Sequence, residues 1–120
     1  MRRVRDRRRY RGIVLERICF ALQVKKDRID EYKKRHREVW PEMQKALQET
    51  GWHNYSLFLR DDGLLVGYLE TPDFQKALNG MAQREINAKW QSEMRDFFED
   101  AEGREADRQM APLEQVFFLP

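Results

Sequence analysis

From residue 17 to residue 24 the chain reads RICFALQV, and its side chains alternate. Ile18, Phe20, Leu22 and Val24 project to one side, and Cys19, Ala21 and Gln23 to the other. A period of two marks a strand, here with a second side that is itself fairly apolar. The next residues are polar, and Asp27 is placed to cap a helix, with Asp30 three positions on as a weak capping box. From about residue 28 the period lengthens. Ile29, Tyr32, His36, Val39, Trp40 and Met43 recur three and four apart, the stripe of an amphipathic helix. Pro41 breaks that helix, because its ring clashes with the preceding turn. A second helical segment then runs to a stop at Gly51.

Alternation returns in WHNYSLFL, residues 52–59. His53, Tyr55, Leu57 and Leu59 are expected on one face, with Trp52, Asn54, Ser56 and Phe58 on the other. RDDG predicts a hairpin turn with Gly63 at positive φ, and LLVGYLE a third strand. Thr71 followed by Pro72 predicts a helix cap and first helical position. Residues 84–98 predict a longer helix that presents Ile86, Trp90, Met94, Phe97 and Phe98 together. After a charged loop, LEQVFFLP predicts a last strand over residues 113–120.

The predicted order is βαββαβ. Right-handed crossovers make this an α+β, ferredoxin-like fold, a four-stranded antiparallel sheet with helices on one face. Several strands are apolar on both faces, and one chain supplies helices for only one. The second face calls for a homodimer packed sheet against sheet, an assembly of the dimeric α/β-barrel type.

Composition sharpens the domain boundary. Seven arginines against Asp6 and Glu16 leave residues 1–16 at +5, so with +2 overall the remaining chain stands at −3. Residues 1–15 are expected to be a disordered basic arm, and residues 16–120 a single ferredoxin-like domain. A basic run without a folded reading platform is weak evidence for nucleic acid, and the acidic body does not add to it. No apolar run approaches a membrane span, and the Arg-rich start lacks the apolar core of a secretory signal. The single cysteine, Cys19, fits a reducing, cytoplasmic setting.

Candidate chemistry is sparse. The chain has no Gly-rich phosphate loop, no H-E-x-x-H and no Cys/His metal spacing. His36 and His53 are its two histidines, too few for a plausible zinc site. One constellation remains. Tyr32 and His36 lie one helical turn apart, Tyr55 projects from the neighbouring strand, and Trp90 from the second long helix. Such a pocket combines a group that titrates near neutral pH with hydroxyls and flat apolar faces, which suits a sugar. The plainer reading makes each of them a packing residue, and leaves Glu31, Glu38 and Glu42 as solvated helix charges.

Four motifs tilt this balance. EYKKRHREVWPEM resembles the E-Y-x-x-R-H-x-x-x-W-P-E segment of the L-rhamnose mutarotase family. WHNYSLFL is similar to that family's H-N-Y strand, NAKWQSEM lies where it has a tryptophan-containing helix, and EQVFFLP resembles its E-V-F-Y-L-P terminus. The resemblance spans about residues 16–120 and implies a ferredoxin-like dimer. It implies that His36 is the catalytic acid, that Tyr32, Tyr55 and Trp90 contact the sugar, and that no cofactor or metal takes part. Some members carry a Trp-Trp pair where this chain has Trp90-Gln91, which puts Gln91 on the sugar-facing surface. The implied reaction interconverts the α and β anomers of L-rhamnose or a related 6-deoxy sugar. The second proton carrier, a tyrosine or a water, stays open. Two other functions also stay open on the same dimeric fold, a non-enzymatic small-ligand binding module and a cofactor-free oxygenase.

Overall fold

The computed structural model describes residues 8–10, 12–99 and 110–120. Its long strands are β2 (Ile13–Gln23), β3 (His53–Leu59) and β4 (Leu64–Thr71), and a short β1 (Arg8–Tyr10) precedes them. All pairings are antiparallel, in the spatial order β1-β2-β4-β3. Four helices follow the strands in pairs: α1 (Ile29–Arg37) and α2 (Pro41–Glu49) after β2, then α3 (Phe74–Ala82) and α4 (Glu85–Met94) after β4.

The alternation in β2 sets the core. Ile18 lies opposite Leu69, Phe20 opposite Gly67 and Leu22 opposite Leu65. These side chains are buried beneath the helices together with Met43, Ala46, Phe74, Ala77, Met81, Trp90, Met94 and Phe97. Phe20 lies directly across Gly67. A Cβ on that glycine would sit 2.1 Å from the Phe20 Cζ, so the close approach of ring to backbone requires glycine. The β3–β4 hairpin turns at Gly63, which has φ 94° and whose amide bonds to the Arg60 carbonyl.

Pro41 divides the first helical stretch as its chemistry dictates. Trp40 takes an extended conformation (φ −56°, ψ 135°) before the proline, which opens α2 at its first position. Capping differs from expectation in two places. Asp27 makes no capping bond and instead lies in a 3-10 turn ahead of α1. The second helical pair is capped by Asp73, whose carboxylate accepts from the Lys76 amide, while Thr71 is the last residue of β4.

Three expectations need correction. The predicted ferredoxin-like βαββαβ order has no last strand here: residues 110–120 carry neither helix nor strand. One backbone bond, from the Leu113 amide to the Cys19 carbonyl, ties that segment to the edge of β2. Val116, Phe117 and Leu119 are exposed, and an apolar strand gains little where no surface covers it. The fourth place in the sheet goes to β1, paired through a local hairpin with β2. Part of the segment expected as a disordered arm is ordered. Residues 8–10 and 13–15 are strand, and Leu15 is buried, while residues 1–7 lie outside the described residues.

The third correction is a bulge. His53 pairs with Glu70, and Ser56 with Tyr68, so β3 holds one extra residue between them. Asn54 absorbs it at φ 47°, the left-handed region that asparagine tolerates better than most residues. His53 therefore leaves the face of Tyr55 and Leu57, and Trp52 joins it.

Candidate active site

Between the helices and the sheet lies a cavity of about 480 Å³. Phe20, Leu22, Leu57 and Leu65 come to it from the strands, and Met43, Leu47, Met81 and Met94 from the helices. All five residues singled out in the sequence, Tyr32, His36, Tyr55, Trp90 and Gln91, line this one cavity.

The helix stripe places the first two. Tyr32 is the buried residue of α1, and His36 follows one turn later. Their rings stack with centroids 4.1 Å apart. Trp90 meets His36 edge-on at 5.4 Å and Trp40 at 5.0 Å, forming an aromatic wall from α1 to α4. Phe97 and Phe98 pack edge-on against Tyr32 from behind. Tyr55 reaches the cavity from the same face of β3 as Leu57, and it rests 5.0 Å from the Trp52 ring. Trp52 is in turn anchored by its indole N–H, which donates to the Ala77 carbonyl at 3.2 Å. Arg35 reaches Glu31 and Glu93 across the outer surface, while Arg37 lines the cavity.

The histidine is held in one tautomer. Its Nδ1 lies 3.0 Å from the Tyr32 carbonyl. A carbonyl can only accept, so Nδ1 carries the proton and neutral His36 keeps a free lone pair on Nε2. Burial lowers the pKa of His36 below its ordinary value, against the opposing pull of that carbonyl. The neutral imidazole therefore prevails at pH 7, and its first available act is to accept a proton. Tyr32 is pushed the other way: burial, and then the neighbouring Tyr55, raise its pKa far above the usual range. It stays a hydroxyl and serves as a hydrogen-bonding group.

Sequence reasoning missed several lining residues, among them Arg37 and Gln44, and three others are instructive. Asn87, 2% exposed, lies one turn before Gln91 on α4. Its signal was that i, i+4 spacing of two amides on an otherwise amphipathic helix. Trp52 was assigned to the wrong face by the unread bulge. Met110 enters from the C-terminal segment, and no local pattern announces it. Among the described residues, no group of His, Cys, Asp or Glu could hold a metal ion.

The L-rhamnose mutarotase family profile matches residues 17–119 of this chain. An L-rhamnose mutarotase from Mannheimia succiniciproducens is 40% identical over 101 residues, covering 83% of this chain and 94% of its own length. One from Oceanobacillus iheyensis is 46% identical over 77 residues, covering 63% of this chain and 73% of its own. Among solved structures, the L-rhamnose mutarotase from Formosa agariphila superimposes with a TM-score of 0.69 at 28% identity. That match covers 88% of this chain and 99% of the other.

Proposed function

This chain belongs to the L-rhamnose mutarotase family, and from that membership and the cavity we propose that it interconverts the α and β anomers of L-rhamnose. The observation that carries the reading is a neutral, tautomer-fixed His36 inside an aromatic cavity of monosaccharide size.

Ring opening removes a proton from the anomeric hydroxyl, delivers one to the ring oxygen, and leaves an aldehyde. Rotation about one bond and reclosure gives the other anomer. The two oxygens share one carbon, so a single group can serve both. Nε2 of His36 accepts the anomeric proton, and the imidazolium so formed donates to the ring oxygen as the C–O bond breaks. His36 is thus base first and acid second, which refines the role of acid that the family resemblance implies. Tyr32 and Tyr55 hold hydroxyls of the sugar, Trp90 packs on its C–H face, and Gln91 lies against its edge. The reaction calls for no cofactor. Among the described residues no helix is long and apolar enough to cross a membrane, and we place the enzyme in the cytoplasm.

Two copies assemble in this reading. Phe58, 64% exposed, projects from the sheet face away from the helices beside Val66, its partner in β4. Val116, Phe117 and Leu119 stand exposed on the segment that meets the edge of β2. A sheet-to-sheet homodimer would cover both sets.

The test follows the anomeric protons of pure α-L-rhamnose by NMR with catalytic protein. Exchange should exceed the buffer rate and rise with pH through the region below 6.5, levelling near neutrality, since protonation of His36 blocks the base. Exchange at the buffer rate throughout would overturn the reading.

A further inference from the structure

We propose that Gln91 selects the sugar: its carboxamide oxygen accepts a hydrogen bond from one hydroxyl of the bound ring, and Asn87 holds the amide in the orientation that makes this possible. The inference rests on the mutarotase reading of the cavity. It adds a specific hydroxyl to the recognition, read by a group of this chain.

Gln91 is 6% exposed and Asn87 2% exposed, and both line the cavity from α4. The Gln91 Nε2 donates to the Asn87 Oδ1 at 3.2 Å. The nitrogen end of the Gln91 amide faces Asn87 in this arrangement. Its Oε1 is left buried, with no hydrogen-bond partner among the described residues. A shielded carbonyl oxygen without a donor is costly, and native proteins seldom keep one without a use. The last torsion of a glutamine side chain is soft. A small turn about it aims Oε1 toward the cavity while Nε2 stays within hydrogen-bond reach of Asn87. A monosaccharide brings what the oxygen lacks, O–H donors at fixed positions around a ring. Lone pairs facing an incoming group also reject one that cannot donate, so the same atom binds one sugar and refuses another.

Single replacement of a hydroxyl by fluorine nearly preserves size and removes the donor. The experiment measures kcat/KM for anomer exchange of L-rhamnose and its 2-, 3- and 4-deoxyfluoro analogues. The proteins compared are the unaltered one, Gln91→Leu and, as a second apolar replacement, Gln91→Met. Dividing each analogue's penalty in the unaltered protein by its penalty in the variant cancels the intrinsic effect of fluorine on ring opening. One position should show an excess penalty of about tenfold or more in the unaltered protein, the scale of a lost hydrogen bond at a buried acceptor, and the other two should show none. Asn87→Ala keeps Gln91 but frees its amide. It should shrink the same excess penalty while leaving the other analogues' ratios unchanged, which a purely structural defect would not do. Identical analogue profiles in the unaltered protein and both Gln91 variants would overturn the proposal alone. An unaltered protein that does not accelerate L-rhamnose itself would overturn this proposal together with the mutarotase reading.

Discussion

On the helix-covered face of the sheet, Phe20, Leu22, Leu57 and Leu65 border a space they do not fill. On the opposite face, Ala21 and Phe58 flank Val66 across three paired strands and lie outside the helices. The strands are the same, and their period of two deals alternate residues to each face. The covered face places its apolar side chains on walls around a cavity, where Trp90 stands edge-on to Trp40 and to a half-buried His36. On the outer face Glu70 is fully buried and accepts from Asn54 and from the Tyr68 hydroxyl at 3.0 Å. Filling is incomplete on one side of the sheet, and covering is incomplete on the other.

The sharpest way to break that division is to remove the proposed proton carrier on one face and the histidine on the other. His36→Ala should lower anomer exchange by about 10²–10⁴-fold, or about 3–5 kcal/mol in the barrier. His53→Ala, on the outer face, should cost far less. Circular dichroism should report a folded protein in both cases. Comparable losses from the two substitutions would mean that the faces are not functionally distinct.

Gly67→Ala tests how the cavity is kept open. The new methyl would collide with the Phe20 ring at 2.1 Å. That ring is fully buried, so its free direction is off the sheet and into the cavity. Urea unfolding should show a loss of about 1–3 kcal/mol, typical of overpacking, and KM for the sugar should rise. Unchanged KM in a destabilised protein would show that the ring escapes elsewhere.

Phe58→Glu places a charge on the outer face. The proposed homodimer should weaken by about tenfold or more, as commonly follows when a buried interface group is lost. Light scattering near micromolar concentration should then drift from twice 14.6 kDa toward the mass of one chain. Exchange activity per chain should change little. A fall in activity parallel to the fall in mass would show that the outer face supports the cavity.

The sequence carried the elements that depend on period and on single strong residues. β2, the α1–α2 break at Pro41 and the Gly63 turn are local matters. The pocket was legible because i, i+4 spacing on α1 brings Tyr32 beneath His36, whatever the rest of the chain does. The failures were of another kind. The Asn54 bulge adds one residue without disturbing the visible alternation, so its effect on Trp52 and His53 appears only through the register with β4. The strand expected over residues 113–120 depends on a surface that one chain does not provide. Asp73 displaced Thr71 as the cap because β4 extends through Thr71, a choice made by pairing with Glu16.

The bulge at Asn54 also makes the protein legible to spectroscopy. By shifting His53 to the outer face while His36 stays in the cavity, it leaves the two imidazoles of the chain on opposite sides of one sheet. Their ring C–H resonances are few, stand out in D2O once the amides have exchanged, and need no label. Titrating sugar should move the His36 signals, and diluting the protein through its association range should move those of His53. One sample therefore reports occupancy and assembly on independent channels, and any cross-talk between them would be the direct signature of coupling through the sheet.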